Sequence, residues 1–227
     1  ARKRMIRFDN VFKRYPNGCE ALADVSFELA TGEMAFLTGH SGAGKSTVLR
    51  LIALLERPSR GRVIVNGQHT STLRRGRIPA FRRQVGLVFQ DHRLLDDRPV
   101  ADNVALPLAI AGVARREMDK RVRAALDQVG LLGKERQFPL ELSAGEQQRV
   151  GIARAIVSKP PVLVADEPTG NLDPDLALEI MNLFHRFNAV GVTVLVATHD
   201  VHLLERFGVR RIHIEKGRLA GHPDVAA

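Results

Sequence analysis

The chain has 227 residues, 44% hydrophobic and 26% charged, with a formal net charge of +9 and one cysteine, Cys19. That length suffices for one well-buried domain, and the composition excludes the disordered, collagen-like and disulfide-scaffold classes. A single thiol allows no internal disulfide and fits a reducing cytosol.

Ala1-Arg2-Lys3-Arg4 leads straight into a strand-like segment, with no apolar stretch that would serve as a signal peptide. The longest apolar runs, such as Val192 to Ala197, fall far short of the ~20 residues that span a bilayer. The chain is therefore expected to be soluble by itself, with any membrane role arising through a partner. Its positive charge sits in scattered groups: Arg2-Lys3-Arg4, Arg74-Arg75 with Arg77, Arg82-Arg83 and Arg115-Arg116. Solvated basic faces are the first reading and attraction to an anionic inner-leaflet surface the second. Nucleic acid comes last and is not expected as a partner, because basic and aromatic residues are not interleaved.

Ile6, Phe8 and Val11, then Val25, Phe27 and Leu29, alternate as half-buried strands do, with the turn signal Asn17-Gly18 between them. Met34 to Leu37 reads as a fully buried strand of a parallel sheet. It runs into Gly39-His40-Ser41-Gly42-Ala43-Gly44-Lys45-Ser46-Thr47, which matches G-x-x-x-x-G-K-[ST] in full and opens a helical pattern over 46–55. Glycines let the backbone curl so that successive N–H groups face a phosphate, and the following helix adds its dipole. Lys45 is expected to reach the β- and γ-phosphates of ATP, and the Ser46 hydroxyl to ligate Mg2+.

Arg62 to Val65 followed by Asn66-Gly67 predicts a hairpin, because both turn residues tolerate positive φ. Val85 to Phe89 predicts another buried strand, ending at Gln90. From about 91 to 159 the pattern is helical without buried strands, as for a helical subdomain inserted into an α/β core of about 1–90 and 160–227. Within it, Ser143-x-x-Glu146 reads as a capping box, and a capped helix start is also an anion site. Val162 to Ala165 is an apolar strand ending in Asp166-Glu167. Such a pair is often only a helix cap, but downstream of a phosphate loop it suits other work. Asp166 would serve Mg2+, and Glu167 would accept a proton from an attacking water. Leu176, Ile180, Leu183 and Phe184 recur at helical spacing, and Val192 to Ala197 is a last buried strand before Thr198-His199-Asp200.

Taken together, these segments resemble the ATP-binding cassette superfamily over nearly the whole chain. Leu142-Ser143-Ala144-Gly145-Glu146-Gln147-Gln148-Arg149 is similar to the family signature, with Ala144 and Glu146 departing from L-S-G-G-Q. The resemblance implies a P-loop core with an N-terminal antiparallel β-subdomain and an inserted α-helical subdomain. It implies that Gln90 is the Q-loop glutamine beside Mg2+ and that His199 is the switch histidine. Asn171-Leu172-Asp173 would be the D-loop. It places Tyr15 against adenine, although a tyrosine beside Pro16-Asn17-Gly18 also reads as a turn flank. Ser143 and Gly145 would meet the γ-phosphate held by a second copy of the chain. His40, within the phosphate loop, stands where many relatives have serine.

Phe89-Gln90-Asp91-His92-Arg93-Leu94-Leu95 and Asp102-Asn103-Val104-Ala105-Leu106-Pro107-Leu108 are most similar to the cell-division branch of the superfamily. That implies peripheral attachment to the cytoplasmic face of the bacterial inner membrane through the integral membrane protein FtsX, and a role in regulating cell-wall hydrolysis. The branch normally begins near Met5, so Ala1 to Arg4 is expected to be either an extension or a non-native remnant. The competing readings are the ATPase of a lipoprotein-release or MacB-like exporter, a cytosolic cassette acting on nucleic acid, and a switch that binds ATP without hydrolysing it.

Overall fold

The structure, a computed structural model, describes residues 3–220, so Ala1 and Arg2 of the basic N-terminal group lie outside the described residues. Strand β1 (Arg4–Arg14) buries Ile6, Phe8 and Val11. The break in strict alternation after Phe8 is a bulge: Asn10 takes φ 45°, and the pairing register with β2 (Glu20–Ala30) shifts between Phe8 and Val11. Across that pair Phe8 stacks on Phe27 with ring centroids 4.6 Å apart. Strands β4 (Arg60–Val65) and β5 (Gln68–His69) complete an antiparallel sheet of order β2-β1-β4-β5. Their turn is Asn66-Gly67 at φ 48° and 75°, the left-handed pair that matches strand twist in a two-residue hairpin.

The second sheet is built on the apolar runs. Strands β3 (Met34–Thr38), β6 (Val85–Val88), β7 (Val162–Asp166), β8 (Thr193–Ala197) and β9 (Arg210–Glu215) are parallel where they pair, and β10 (Arg218–Leu219) turns back on β9. The order is β10-β9-β3-β8-β7-β6. Strands β3 and β8 are buried at every position because both faces of the sheet are covered. Met34 and Phe36 point into one core with Val88, Ile180 and Phe184, while Ala35 and Leu37 point into the other. That other core joins the parallel sheet, the antiparallel sheet and the apolar side of helix α1 (Lys45–Ile52). Each fully buried Leu, Ile or Phe contributes roughly 1.5–3 kcal/mol.

Helix α1 is shorter than the periodicity over 46–55 predicts. Leu54 takes φ 51°, which ends the helical path, although Leu54 stays buried. After the short helix α2 (Ile78–Arg82), helices α3 (Val100–Ile110), α4 (Arg115–Gln128) and α5 (Ala144–Ile156) fill the stretch between β6 and β7. Helix α6 (Pro174–Ala189) starts earlier than its apolar pattern because Asp173 caps it, accepting from the N–H groups of Asp175 and Leu176. Helix α7 (Val201–Phe207) follows β8 and is capped in the same way by Asp200.

Candidate active site

The carboxyl ends of β3, β7 and β8 lie side by side, which is where open α/β sheets bind ligands. Backbone hydrogen bonds hold the segments that leave them: Thr198 N–H to the Leu37 carbonyl at 3.1 Å, and Glu167 N–H to the Ala197 carbonyl at 2.9 Å. Above these ends lies a cavity of about 670 Å³. Gly39, His40, Ser41, Gly42, Gly44, Lys45, Ser46 and Thr47 line it, and Gln90, Asp166, Glu167 and His199 face them.

Two glycines make the loop possible. A Cβ on Gly39 would lie 2.2 Å from the Ile214 carbonyl oxygen. Gly44, at φ 112°, would press one to 2.7 Å from the Ala21 carbonyl. Ala43 is buried beneath the loop rather than lining the cavity, and its carbonyl accepts from Gly217 N–H at 3.0 Å. The turn between β9 and β10 therefore props the loop from below. Helix α1 starts at Lys45 with no side-chain cap and no acid in its first turn, so its free N–H groups and positive dipole end face the loop's interior.

Lys45 is buried, and its ammonium donates to the carbonyls of Gly39 at 2.8 Å and His40 at 3.2 Å. It also stands 3.3 Å from Oε1 of Glu167. The other carboxylate oxygen of Glu167 is 2.9 Å from Nδ1 of His199, an exposed ring. Glu167 itself sits at φ 44°, a conformation that costs a non-glycine residue about 1–3 kcal/mol and persists where surroundings over-determine it. Asp166, one residue earlier, is pushed above the usual carboxylate range by burial, and the neighbouring Glu167 charge adds to this. A hydrogen bond with the Ser46 side chain and the positive charge of Lys45 oppose the shift.

This donor set fits a magnesium nucleotide. Ser46 and Asp166 are hard oxygen donors in mutual contact, and an acid held near a cation site is relieved by the cation's charge. Among the described residues no cluster of three or more His, Cys, Asp or Glu forms an all-protein cage. Mg2+ keeps waters and binds through one or two protein groups plus phosphate oxygens, which the adjacent Ser46 and Asp166 oxygens suit.

Other sequence-predicted residues do not themselves line the cavity. Tyr15 does not line the cavity; its hydroxyl lies 3.3 Å from Thr47 Oγ1, and Lys13 sits over its ring at 5.0 Å. Ser143 and Gly145 stand at the start of α5, also outside the cavity lining. There Ser143 Oγ accepts from Glu146 N–H at 3.3 Å and Ser143 N–H donates to Glu146 at 3.0 Å, a complete capping box. The Lys134 ammonium bonds to Glu146 and, with the Ser143 amide, holds its carboxyl below the usual range. A Cβ on Gly145 would meet Leu176 at 3.2 Å, so this helix start packs closely on the beginning of α6.

Sequence reasoning missed the cavity's other wall: Cys19 just before β2, Glu20 and Ala21 at its start, Leu204 from α7, and Arg211 and His213 from β9. His213 Nδ1 lies 2.9 Å from Thr38 Oγ1 at the foot of the loop. The available signal was the alternation of Ile212 and Ile214 about His213, flanked by Arg211 and Glu215, before Lys216-Gly217, the pattern of a short strand.

A second depression, about 490 Å³, opens on the flank beyond β6. Leu55, Leu87, Phe89, Leu106, Pro107 and Ile110 give it an apolar floor, and Arg82, Arg83 and Arg154 stand at its rim. Ile110 is 77% exposed, far more than a helix facing its own core would leave it. Arg154 donates to the carbonyls of His92 and Arg93, pinning two consecutive left-handed residues at φ 53° and 49°.

Residues 22–170 match the ABC transporter family. The chain is 57% identical to the cell division ATP-binding protein FtsE of Escherichia coli (strain K12) over 217 residues, 96% of this chain and 98% of that protein. It is 45% identical to FtsE of Bacillus subtilis (strain 168), over 94% of this chain and 93% of that one. Among solved structures it is similar to the dimeric post-hydrolysis state of the ATP-binding cassette MJ0796 bound to ADP and Pi. There the TM-score is 0.89 at 34% identity, covering 98% of this chain and 100% of the other. A phosphate loop facing two acids and a histidine across one cavity, in a fold and sequence shared over nearly the full length, identifies the chain as a member of the ABC transporter family and an ATPase of the cassette type.

Proposed function

We propose that two copies of this chain close around MgATP and that the resulting motion drives an integral membrane partner, FtsX, to regulate cell-wall hydrolysis during bacterial division. The convergence of Lys45, Asp166, Glu167 and His199 on the phosphate loop carries the catalytic part of this reading. Loop N–H groups and Lys45 hold the β- and γ-phosphates, which requires the Lys45 ammonium to exchange its loop carbonyls and Glu167 for phosphate oxygens. Ser46, Asp166 and Gln90 hold Mg2+, directly or through water. That ion neutralises charge developing on the transferred phosphoryl group.

Released from Lys45, the Glu167 carboxylate accepts a proton from the attacking water. His199, already within 2.9 Å of Glu167 through Nδ1, orients it and faces the γ-phosphate. Ser143 and Gly145 come from the second copy, as their absence from the cavity wall of a single copy and the dimeric state of MJ0796 support. The γ-phosphate then links both faces, and its loss on hydrolysis lets them part.

Similarity to FtsE over nearly the whole chain supports the division role. The apolar depression with Leu106, Pro107 and Ile110 is the surface that suits a helix from the membrane partner. The test is MgATP hydrolysis by the purified chain, alone and with FtsX in lipid, with Glu167→Gln as control. Turnover that rises with FtsX and vanishes in the variant supports the proposal. Turnover indifferent to FtsX, or co-purification with an exporter's membrane subunit instead, overturns the division role. Absence of turnover under both conditions indicates a non-hydrolysing switch.

A further inference from the structure

Between residues 57 and 90 the sequence holds eight arginines and no aspartate or glutamate, so this one stretch carries nearly all of the net charge of +9. The fold sorts these arginines. Arg57 is used internally, donating to the carbonyls of Ser71 at 2.6 Å and Leu73 at 2.8 Å. Arg60 lies over the Phe12 ring, and Arg62 lies on β4 opposite Asp9 of β1. Arg74, Arg75, Arg77, Arg82 and Arg83 remain, all exposed, on the 3-10 turn 75–77, on α2 and at its ends; of these, Arg82 also donates to the Leu54 carbonyl at 2.9 Å. Among the described residues no ion pair engages any of these five.

Helix α2 separates two depressions. On one side, Arg74 and Arg77 line a shallow basin of about 580 Å³ with Gln68, His69, Thr72 and Gln84, a wall of hydrogen-bond donors without an acid. On the other, Arg82, Arg83 and Pro79 border the apolar depression that holds Leu106, Pro107 and Ile110.

We propose that the arginine face around α2 binds the headgroups of anionic phospholipids at the inner leaflet directly, with no protein intermediary. Unneutralised guanidinium groups clustered within one helix and its flanking turn are suited to phosphate oxygens, which they bind in fork geometry. The only aromatic ring on the segment from 74 to 83 is Phe81, which is fully buried, so the face has no stacking platform for bases. Single-sign charge without aromatic rings fits a fluid anionic surface better than a nucleic acid strand. Its position also fits: a membrane partner's segment seated in the apolar depression would bring α2 to the bilayer from which that segment emerges. This last point rests on the membrane-partner reading; the lipid affinity of the arginines does not.

The test is flotation of the purified chain with vesicles of phosphatidylcholine containing 30% (about one lipid in three) phosphatidylglycerol, against pure phosphatidylcholine, over a salt series. The expected result is binding to the anionic vesicles only, weakening as salt rises. In the triple variant R74E/R75E/R77E, vesicle affinity should fall on the order of a hundredfold, at about fivefold per arginine near the surface. R74K/R75K/R77K should retain most of it. ATP turnover should be unchanged in both variants, which shows that they are folded. Equal binding to neutral vesicles, equal binding by the glutamate variant, or no vesicle binding by the wild type would each overturn the proposal. So would binding of a DNA duplex or single-stranded RNA in preference to anionic vesicles. Failure here leaves the FtsX reading intact, because that reading is judged by stimulation of turnover and co-purification.

Discussion

Lys45, the first residue of α1, and Glu167, the residue after β7, form an ion pair of 3.3 Å across the floor of the cavity. In the proposed mechanism, the residue that would grip phosphate and the residue that would activate water therefore hold each other. A γ-phosphate entering the loop would compete for Lys45, and winning it would free the Glu167 carboxylate. Binding and activation of the base would in this way be a single electrostatic exchange.

Glu167→Gln keeps the shape and removes the charge. ATP affinity should hold or rise, because Lys45 no longer has a competing anion. Turnover should fall by about 10²–10⁴, the usual contribution of a positioned base. Equilibrium binding of a fluorescent ATP analogue and single-turnover kinetics check this, with light scattering to detect the closed dimers expected to accumulate. Near-normal turnover would remove Glu167 as the base.

His199 is exposed and touches Glu167 through Nδ1. His199→Ala should lower kcat on the order of a hundredfold while KM for MgATP moves less than about threefold, since the ring acts on the reacting end. A KM change as large as the kcat change would make His199 a nucleotide-binding group instead.

The loop glycines should rank by what a methyl group meets. Gly39→Ala drives a Cβ to 2.2 Å from a backbone oxygen of β9 and should abolish nucleotide binding or folding. Gly42→Ala meets nothing within 4 Å and has only its φ of 77° against it, a cost of about 1–2 kcal/mol. Thermal melts with and without MgATP separate the two, and a Gly39→Ala variant with normal affinity would contradict the loop geometry.

Burial raises the Asp166 carboxyl above its ordinary value of 3.8. The sign follows from linkage: between that value and the raised one, the folded state binds more protons than the unfolded state, so this residue costs stability as pH rises through the window. Asp166→Asn should therefore melt at a higher temperature than wild type at pH 7 without nucleotide. It should also lose the further stabilisation that MgATP gives the wild type. Calorimetry at pH 4 and pH 7 checks both parts.

At the start of α5, Ser143→Ala removes one half of the capping box and should cost about 1 kcal/mol. A Tm drop of about 2–4 °C would register it in a chain of this size. If Ser143 also serves the opposite site, turnover falls far more than that loss explains. Glu146, held below the usual carboxylate range chiefly by Lys134, contributes fully above about 4.5, and its contribution is lost as pH falls through its lower folded value.

Much of the site was legible because its geometry is local. A phosphate loop needs glycine at particular neighbouring positions, a lysine and a hydroxyl at a helix start, and all of these are consecutive in the chain. Asp166-Glu167 and His199 were legible because buried parallel strands announce their carboxyl ends as apolar runs that stop at polar residues. The alternation around β1, the Asn66-Gly67 hairpin and the Ser143-Glu146 box are likewise short-range patterns.

What lay beyond the sequence is what depends on sheet order. Strand β9 is paired with β3 although most of the chain separates them, and that pairing brings Arg211 and His213 to the cavity. Contact between Tyr15 and Thr47, and the removal of Ser143 and Gly145 from a single copy's cavity wall, are also tertiary outcomes. The arginines from 57 to 83 look alike in sequence, yet packing turns Arg57 inward to backbone carbonyls and leaves Arg74, Arg75, Arg77 and Arg83 exposed around α2 without an ion pair among the described residues. Residue type and spacing determined which chemistry the chain carries. Long-range strand pairing and helix packing decided which of those groups meet, because non-local contacts leave no periodicity in the residues that make them.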